Sequence, residues 1–405
     1  MFAYASGATL VDDTGSEFID FFSGAGALSY GHNNPRLVEV AIEHLSSNRI
    51  AHCLDTHTPE KGALLESLRE CVLEPRGLDM VVQFVGPTGA TAVEAALKLA
   101  AKVTGRHATV AYEGGYHGMS AGAASVSGAL NQHTVDSVDH PCVFLPFVDR
   151  YSETATSRLD VALQTPINGR LPGALIIEAT QGEGGARSFD TDYLSEVRKL
   201  CTRHGVIIIA DEVQAGVGRT GPFFSFEGSA LDPDIVCLSK SLSGLGLPLA
   251  VNLIRRNLDQ WAPGEFTGTF RGNNMAFSTA NAMLQLYWRD EILTLSTLKR
   301  EQELRGFLRE LADNDCDIPF TVRGRGLLMG MDFDNTIVSA AISDAAFRVG
   351  LVVETCGPRQ ATVKLLPPLL IADGEFAEGL DRLGQAFCLV HDELRLSDSV
   401  VGVGQ

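Results

Sequence analysis

The sequence predicts an α/β fold, a mostly parallel, doubly wound sheet joined to a smaller α+β domain built from both chain ends. Three observations predict it. Short apolar, β-branched runs recur at Leu175-Ile176-Ile177, Val206-Ile207-Ile208-Ile209 and Asp234-Ile235-Val236-Cys237-Leu238, and continuous runs of this length suit strands buried on both faces. Between the first two runs, residues 192–204 place Leu194, Val197, Leu200 and Cys201 on one stripe, an amphipathic helix feeding the next strand. Glycine, 41 residues in all, punctuates the alternation, as expected where strands and helices take turns around a sheet.

The elements follow in order. Residues 8–15 read as a strand and turn, and 17–22 as a second strand. Residues 92–102, with Val93, Ala96, Leu97 and Ala100 at helical spacing, read as a helix opened by a glycine-containing turn. The βαβ rhythm then runs through the apolar strands. Toward the end, 284–313 reads as one long helix, and 322–333 and 352–366 read as strands around Gly and Pro-Pro turns. Residues 1–45 are therefore expected to form the N-terminal part of the small domain, 46–285 the large domain, and 286–405 the C-terminal small domain. There is no internal repeat, low-complexity tract or linker.

Bulk properties bound the function. The 405 residues allow two or three domains at roughly 100–200 residues each. Hydrophobic residues at 45% and charged ones at 20% exclude a disordered, collagenous or coiled-coil chain. The net charge of −18 disfavours nucleic acid and anionic membrane surfaces, so an anionic ligand would need a local basic pocket. The start shows no basic region followed by an apolar one, and no 18 apolar residues run uninterrupted, which points to the cytoplasm and away from the membrane. The eight cysteines (Cys53, Cys71, Cys142, Cys201, Cys237, Cys316, Cys356, Cys388) never fall within four residues of each other. That spacing excludes a CxxC zinc or redox motif and fits reduced, mostly buried thiols.

Three signals carry chemistry. Gly86-Pro87-Thr88-Gly89-Ala90-Thr91 opens a helix, where backbone N–H groups and the dipole bind phosphate; a plain capping box, Thr91-x-x-Glu94, is the other reading. Asp211-Glu212-Val213-Gln214 follows a buried strand, at the carboxyl edge where open α/β sheets bind ligands. These carboxylates are either solvated loop charges or the partner of a positively charged heteroaromatic nitrogen. Lys240 ends another buried strand, and a lysine in apolar surroundings can lose its proton and form a Schiff base with an aldehyde cofactor, although snorkelling to solvent is the plainer fate. Gly216-Val217-Gly218-Arg219-Thr220-Gly221 matches G-x-G-x-x-G, but Asp211–Ala215 separates it from the strand and Pro222-Phe223-Phe224 follows, which is the wrong context for a dinucleotide fingerprint.

Taken together, these signals and their order resemble the class III (ω-amino acid) aminotransferases, pyridoxal-phosphate enzymes of fold type I. The resemblance covers nearly the whole chain and includes Tyr116-His117-Gly118, residues 178–185 (EATQGEGG), Thr269-Phe270 before Gly272-Asn273, Arg323-Gly324-Arg325-Gly326-Leu327 and Leu366-Pro367-Pro368-Leu369. The wording GPTG, VEAALKLA, YHGM and GTFRGNN looks closest to the diaminobutyrate aminotransferases, including the ectoine-pathway branch.

The resemblance implies pyridoxal 5′-phosphate as cofactor, bound by the 46–285 domain. Lys240 would carry it and move the substrate proton, Asp211 would keep the pyridine nitrogen protonated, Val213 and Tyr116 would flank the ring, and Gln214 would reach the phenolic oxygen. Thr88, Gly89 and Ala90 would hold the phosphate, joined by Thr269 of a neighbouring subunit in a homodimer or dimer of dimers. His117 is either a supporting polar group or a packed ring.

The same resemblance implies transamination of L-2,4-diaminobutyrate or a similar ω-amino acid with 2-oxoglutarate. Ornithine or 4-aminobutyrate-type aminotransferases, and an aminomutase or decarboxylase on the same fold, are the alternatives. A non-catalytic protein that kept the fold would be expected to have lost Lys240 or Asp211. The chain departs from the ornithine and 4-aminobutyrate branches at Met119, where they usually show Arg. It also has Arg271 where many relatives have Gly, and Lys364 where they have an Arg that can pair with the glutamate matching Glu183. Arg271 or Lys364 is therefore expected to anchor the substrate carboxylate, with Glu183 as a switchable partner. Relatives usually carry a further segment ahead of the part matching Ala5-Ser6-Gly7, and it can contribute to the substrate entrance.

Overall fold

The computed structural model describes residues 1–129, 140–313, 318–357 and 359–401. The chain opens with β1 (Phe2–Ser6), β2 (Thr9–Asp12) and β3 (Glu17–Asp20), paired antiparallel in sequence order. β4 (Met80–Phe84), β5 (Ala108–Tyr112), β6 (Cys142–Leu145) and β7 (Pro172–Ile177) follow, then the short hairpin β8 (Thr180–Gln181) and β9 (Arg187–Ser188). β10 (Ile207–Asp211), β11 (Ile235–Leu238) and β12 (Val251–Arg255) complete a seven-stranded sheet of order β4-β12-β11-β10-β7-β5-β6. β12 is antiparallel to both neighbours, so β4 again runs with β11, and every other pairing is parallel.

Alternation along the strands decides the layers. Ile176, Ile209, Ile235 and Cys237 face one side, where they pack with Val93 and Ala96 of the helix Gly89–Thr104. Leu175, Ile208, Val236 and Leu238 face the other, against Leu194, Val197, Leu200 and Cys201 of the helix Thr191–His204. The sheet is thus wound on both faces, and its central strands β7, β10 and β11 read as short continuous hydrophobic runs for that reason.

The rest of the chain forms β13 (Thr321–Arg325), β14 (Leu328–Asp332), β15 (Leu351–Val352), β16 (Glu354–Cys356) and β17 (Thr362–Leu365). β13-β14-β17-β16 make one sheet, while β15 joins the N-terminal strands as the parallel neighbour of β3, with Ile19 opposite Leu351. The two chain ends therefore share a sheet.

Four local expectations change. The helix expected at 284–313 is two helices, Asn274–Tyr287 and Ile292–Asp313. Between them Trp288 turns inward and donates from Nε1 to Tyr30 Oη at 2.8 Å, and Asp290 caps Ile292 N. The helix expected at 92–102 begins at Gly89, because Thr88 is its N-cap and exchanges hydrogen bonds with Thr91. The expected Thr91–Glu94 box is replaced: Glu94 instead accepts from Gly122 N and Ala123 N, capping the short helix Ala121–Ser125. β1 was not expected at all, since its side chains are mostly exposed and carry no apolar alternation. Of the thiols, Cys53, Cys71, Cys201, Cys237 and Cys356 are buried, Cys142 is half-buried and Cys388 exposed; Cys316 lies outside the described residues.

Candidate active site

The carboxyl ends of β4, β5, β7, β10 and β11 meet at one edge of the sheet, and each delivers a side chain or turn to the same cavity of about 240 Å³. β10 ends on Asp211, buried. β11 leads through Ser239 to Lys240. β7 is followed by Glu178, β5 by Tyr116 and His117, and β4 by the turn that opens the helix at Gly89.

Lys240 sits with φ 48°, the left-handed region that a lysine adopts at a cost of about 1–2 kcal/mol, and its Nζ donates to Ala25 O at 2.8 Å. Burial, and then the nearby Lys364 charge, pull its amine down to about 8. A nearly buried lysine with so low a pKa is a proton acceptor and nucleophile near neutral pH.

The Asp211 carboxylate accepts from His117 Nδ1 at 2.7 Å and from Val213 N at 3.0 Å. His117 is fully buried. Burial lowers its pKa, but the hydrogen bond and charge of Asp211 outweigh that and raise it; the ring is thus both packed and hydrogen-bonded to Asp211. Glu178 accepts from Tyr116 N at 2.9 Å and Gly182 N at 3.1 Å, tying two loops of the cavity together; burial pushes its carboxyl up to about 7.

At the opposite side Gly89 and Ala90 line the cavity as the first residues of the helix, where N–H groups have no acceptor within the helix itself. A Cβ at Gly89 would stand 2.8 Å from Val213 Cγ1, so glycine is needed for the turn to approach β10 this closely. Thr88 is exposed, caps the helix and does not line the cavity.

Gln214 and Glu183 close another wall. Gln214 Nε2 donates to Ala25 O (3.0 Å) and to Glu183 Oε1 (3.1 Å). Behind Glu183 lies Lys364, fully buried, with Nζ 2.6 Å from Glu183 Oε1 and 2.8 Å from Glu354 Oε1. Burial works against the Glu183 carboxylate, yet Lys364 holds it below its usual range. Met119 is exposed at the rim.

The structure thus brings together Lys240, Asp211, Val213, Gln214, Tyr116, His117, Gly89, Ala90 and Glu183 in one cavity, with Lys364 directly behind it. Thr269 and Arg271 lie apart from it on their own chain. Thr269 is exposed in the turn Thr269–Gly272, and Arg271 lines a separate recess where it pairs with Asp55. Ala25, Glu178 and Glu354 had no role in the sequence reading. Glu178 ends a buried strand as Asp211 does, a signal that could have found it. Ala25 and Glu354 belong to distant segments that only folding brings near. The G-x-G-x-x-G loop does not line this cavity and closes around Arg219, which is buried and donates to Leu327 O, Pro367 O and Ser29 Oγ.

These residues fit pyridoxal phosphate. A buried amine of low pKa, a carboxylate with two fixed donors and the N-terminal start of a helix line one small cavity. Residues 1–387 match the family model described as "Aminotransferase class-III". The chain is 45% identical over 390 residues to a diaminobutyrate–2-oxoglutarate transaminase of Nocardia farcinica, covering 95% of this chain and 88% of that protein. With the protein of the same description from Halalkalibacterium halodurans it shares 42% identity over 94% of this chain and 90% of the other. Its fold is similar to the crystal structure of ornithine aminotransferase from Toxoplasma gondii, at a TM-score of 0.84 and 25% identity, covering 97% and 91% of the two chains.

Proposed function

The chain belongs to the class III aminotransferases, and on that premise we propose that it moves the terminal amine of L-2,4-diaminobutyrate, or a similar ω-amino acid, to 2-oxoglutarate, giving aspartate 4-semialdehyde and glutamate. Relatives described as diaminobutyrate–2-oxoglutarate transaminases, 41–45% identical, support the donor. The observation that carries the reading is the single cavity in which Lys240, with its amine near 8, stands close to Asp211 and to a Lys364 screened by Glu183.

Its cofactor is pyridoxal 5′-phosphate, which when bound supplies a carbonyl that condenses with amines and a cationic ring that takes up the electrons of a broken C–H bond. Lys240 Nζ takes a proton from the substrate carbon and returns it on the other side of the exchange, as its lowered pKa allows. Asp211, fixed by His117 and Val213 N, would present its carboxylate to the ring nitrogen. Val213 and Tyr116 would confine the ring, and Gly89 N and Ala90 N would hold the phosphate at the helix start. Gln214, tied to Ala25 and Glu183, borders the side toward Lys364.

Lys364 cannot be reached from the cavity until Glu183 moves. This favours the exchange expected from the sequence: Glu183 covers the ammonium when the amino end of the donor enters, and yields it when the acceptor brings a second carboxylate. Arg271, already paired with Asp55 in another recess, does not serve this cavity from its own chain. The exposed position of Thr269 supports its service to a neighbouring subunit in a homodimer or dimer of dimers. Buried thiols and a chain whose described helices are nowhere long and apolar enough to cross a membrane fit a cytoplasmic setting.

A donor panel with 2-oxoglutarate tests the reading. Diaminobutyrate should give the highest kcat/KM; ornithine or 4-aminobutyrate exceeding it tenfold would reassign the donor. Lys364→Ala should raise the KM for 2-oxoglutarate about tenfold or more, the loss expected for one charge-assisted contact.

A further inference from the structure

Lys364 is met by two carboxylates where the exchange with substrate needs only one. Their settings differ. Glu183 follows the strand β8, lines the cavity with Lys240 and is held by Gln214 Nε2. Glu354 does not line that cavity: it lies on β16 directly opposite Lys364 of β17, so sheet register sets its position. The two pairs are nearly equal in length, 2.6 Å and 2.8 Å.

A fully buried ammonium whose sole partner swings away is left uncompensated, which is strongly unfavourable. It would neutralise, or it would hold its partner and block the exchange. We infer that Glu354 is a positioning residue that keeps Lys364 charged and in place while Glu183 gives way to the carboxylate of a dicarboxylic oxo acid. The inference rests on the reading of Lys364 as the carboxylate anchor. Burial pushes the Glu354 carboxyl up, Lys364 opposes this, and the Glu183 charge adds to the rise; while Glu183 is withdrawn and before the incoming carboxylate replaces it, Glu354 is the carboxylate left paired with Lys364. Selectivity for a dicarboxylic acceptor is set in part by a side chain that does not line the cavity.

The test uses the cofactor-loaded enzyme and glutarate, a dicarboxylate that cannot accept an amine, with its Kd read by calorimetry. Glu354→Ala should weaken glutarate about tenfold and raise the KM for 2-oxoglutarate in step, with kcat changed much less. Glu354→Gln, which keeps an oxygen beside Lys364 without the charge, should cost about threefold. A role confined to holding the sheet would instead lower kcat with every substrate, and that result overturns the inference. Should Glu354→Ala fail to fold, Glu354→Gln decides, and an unaltered glutarate affinity in it is also an overturning result. Lys364→Ala separates the two levels. If it weakens glutarate and the Glu354 variants do not, only Glu354 is wrong; if it has no effect, the anchor itself is wrong.

Discussion

At Lys240 a strained backbone, a buried amine and one carbonyl acceptor coincide, and the acceptor, Ala25 O, comes from 215 residues earlier in the chain. Ser23 and Ala25 themselves take positive φ, held by Asp20, which accepts from Ser23 N, and by Ser23 Oγ donating to Leu366 O. Lys240 was legible as a lysine ending a buried strand; its acceptor was not, because no spacing relates residue 25 to residue 240. Competitive labelling of amines in the cofactor-free protein should show Lys240 titrating near 8, reactive above that pH and protected by its proton below it, while exposed lysines titrate near 10.5. Lys364→Met removes a positive neighbour and should move the Lys240 midpoint upward; an unmoved midpoint would mean that burial alone sets it.

The elements deliver these residues by one rule, that parallel strands place their carboxyl ends together. Asp211 is the last residue of β10 and Lys240 the second after β11, as the apolar runs indicated. Turns were harder to read. The G-x-G-x-x-G loop is built around Arg219, a buried guanidinium that bonds the turn at 327, the Pro367 carbonyl and Ser29, and so fastens the large sheet to both chain ends. Its glycine pattern was visible, but its purpose depends on three segments outside it. Arg219→Met should lower stability by about 2 kcal/mol or more, because buried carbonyls lose their donors, and thermal unfolding should show Tm lower by about 2 °C or more in a chain of this length. An unchanged Tm would mean that the clamp contributes nothing. The break at Trp288 escaped the sequence for a similar reason, since its cause is the distant Tyr30 hydroxyl.

Across the whole molecule, β3 and β15 pair residues that are hundreds of positions apart, and the last strand, β17, brings Lys364 against a cavity built by the central sheet. A chain with net charge −18 must place cations deliberately to receive phosphate and dicarboxylate. On the proposed reading the phosphate would be met by the positive end of the helix that starts at Gly89 and the dicarboxylate by the ammonium of Lys364, which is paired with Glu183. The residues at strand ends, Asp211 and Lys240, were readable from the apolar runs, and Glu183 and Lys364 through the resemblance. Glu354 was not, since only register across β16 and β17 puts it opposite Lys364. The central claim, transfer of the terminal amine, is tested most directly with L-2,4-diaminobutyrate carrying ¹⁵N at the 4-amino group, purified enzyme and 2-oxoglutarate. The glutamate formed should carry the label, and Lys240→Ala should form none. Unlabelled glutamate, or label retained in the donor without need of any acceptor, would contradict the claim.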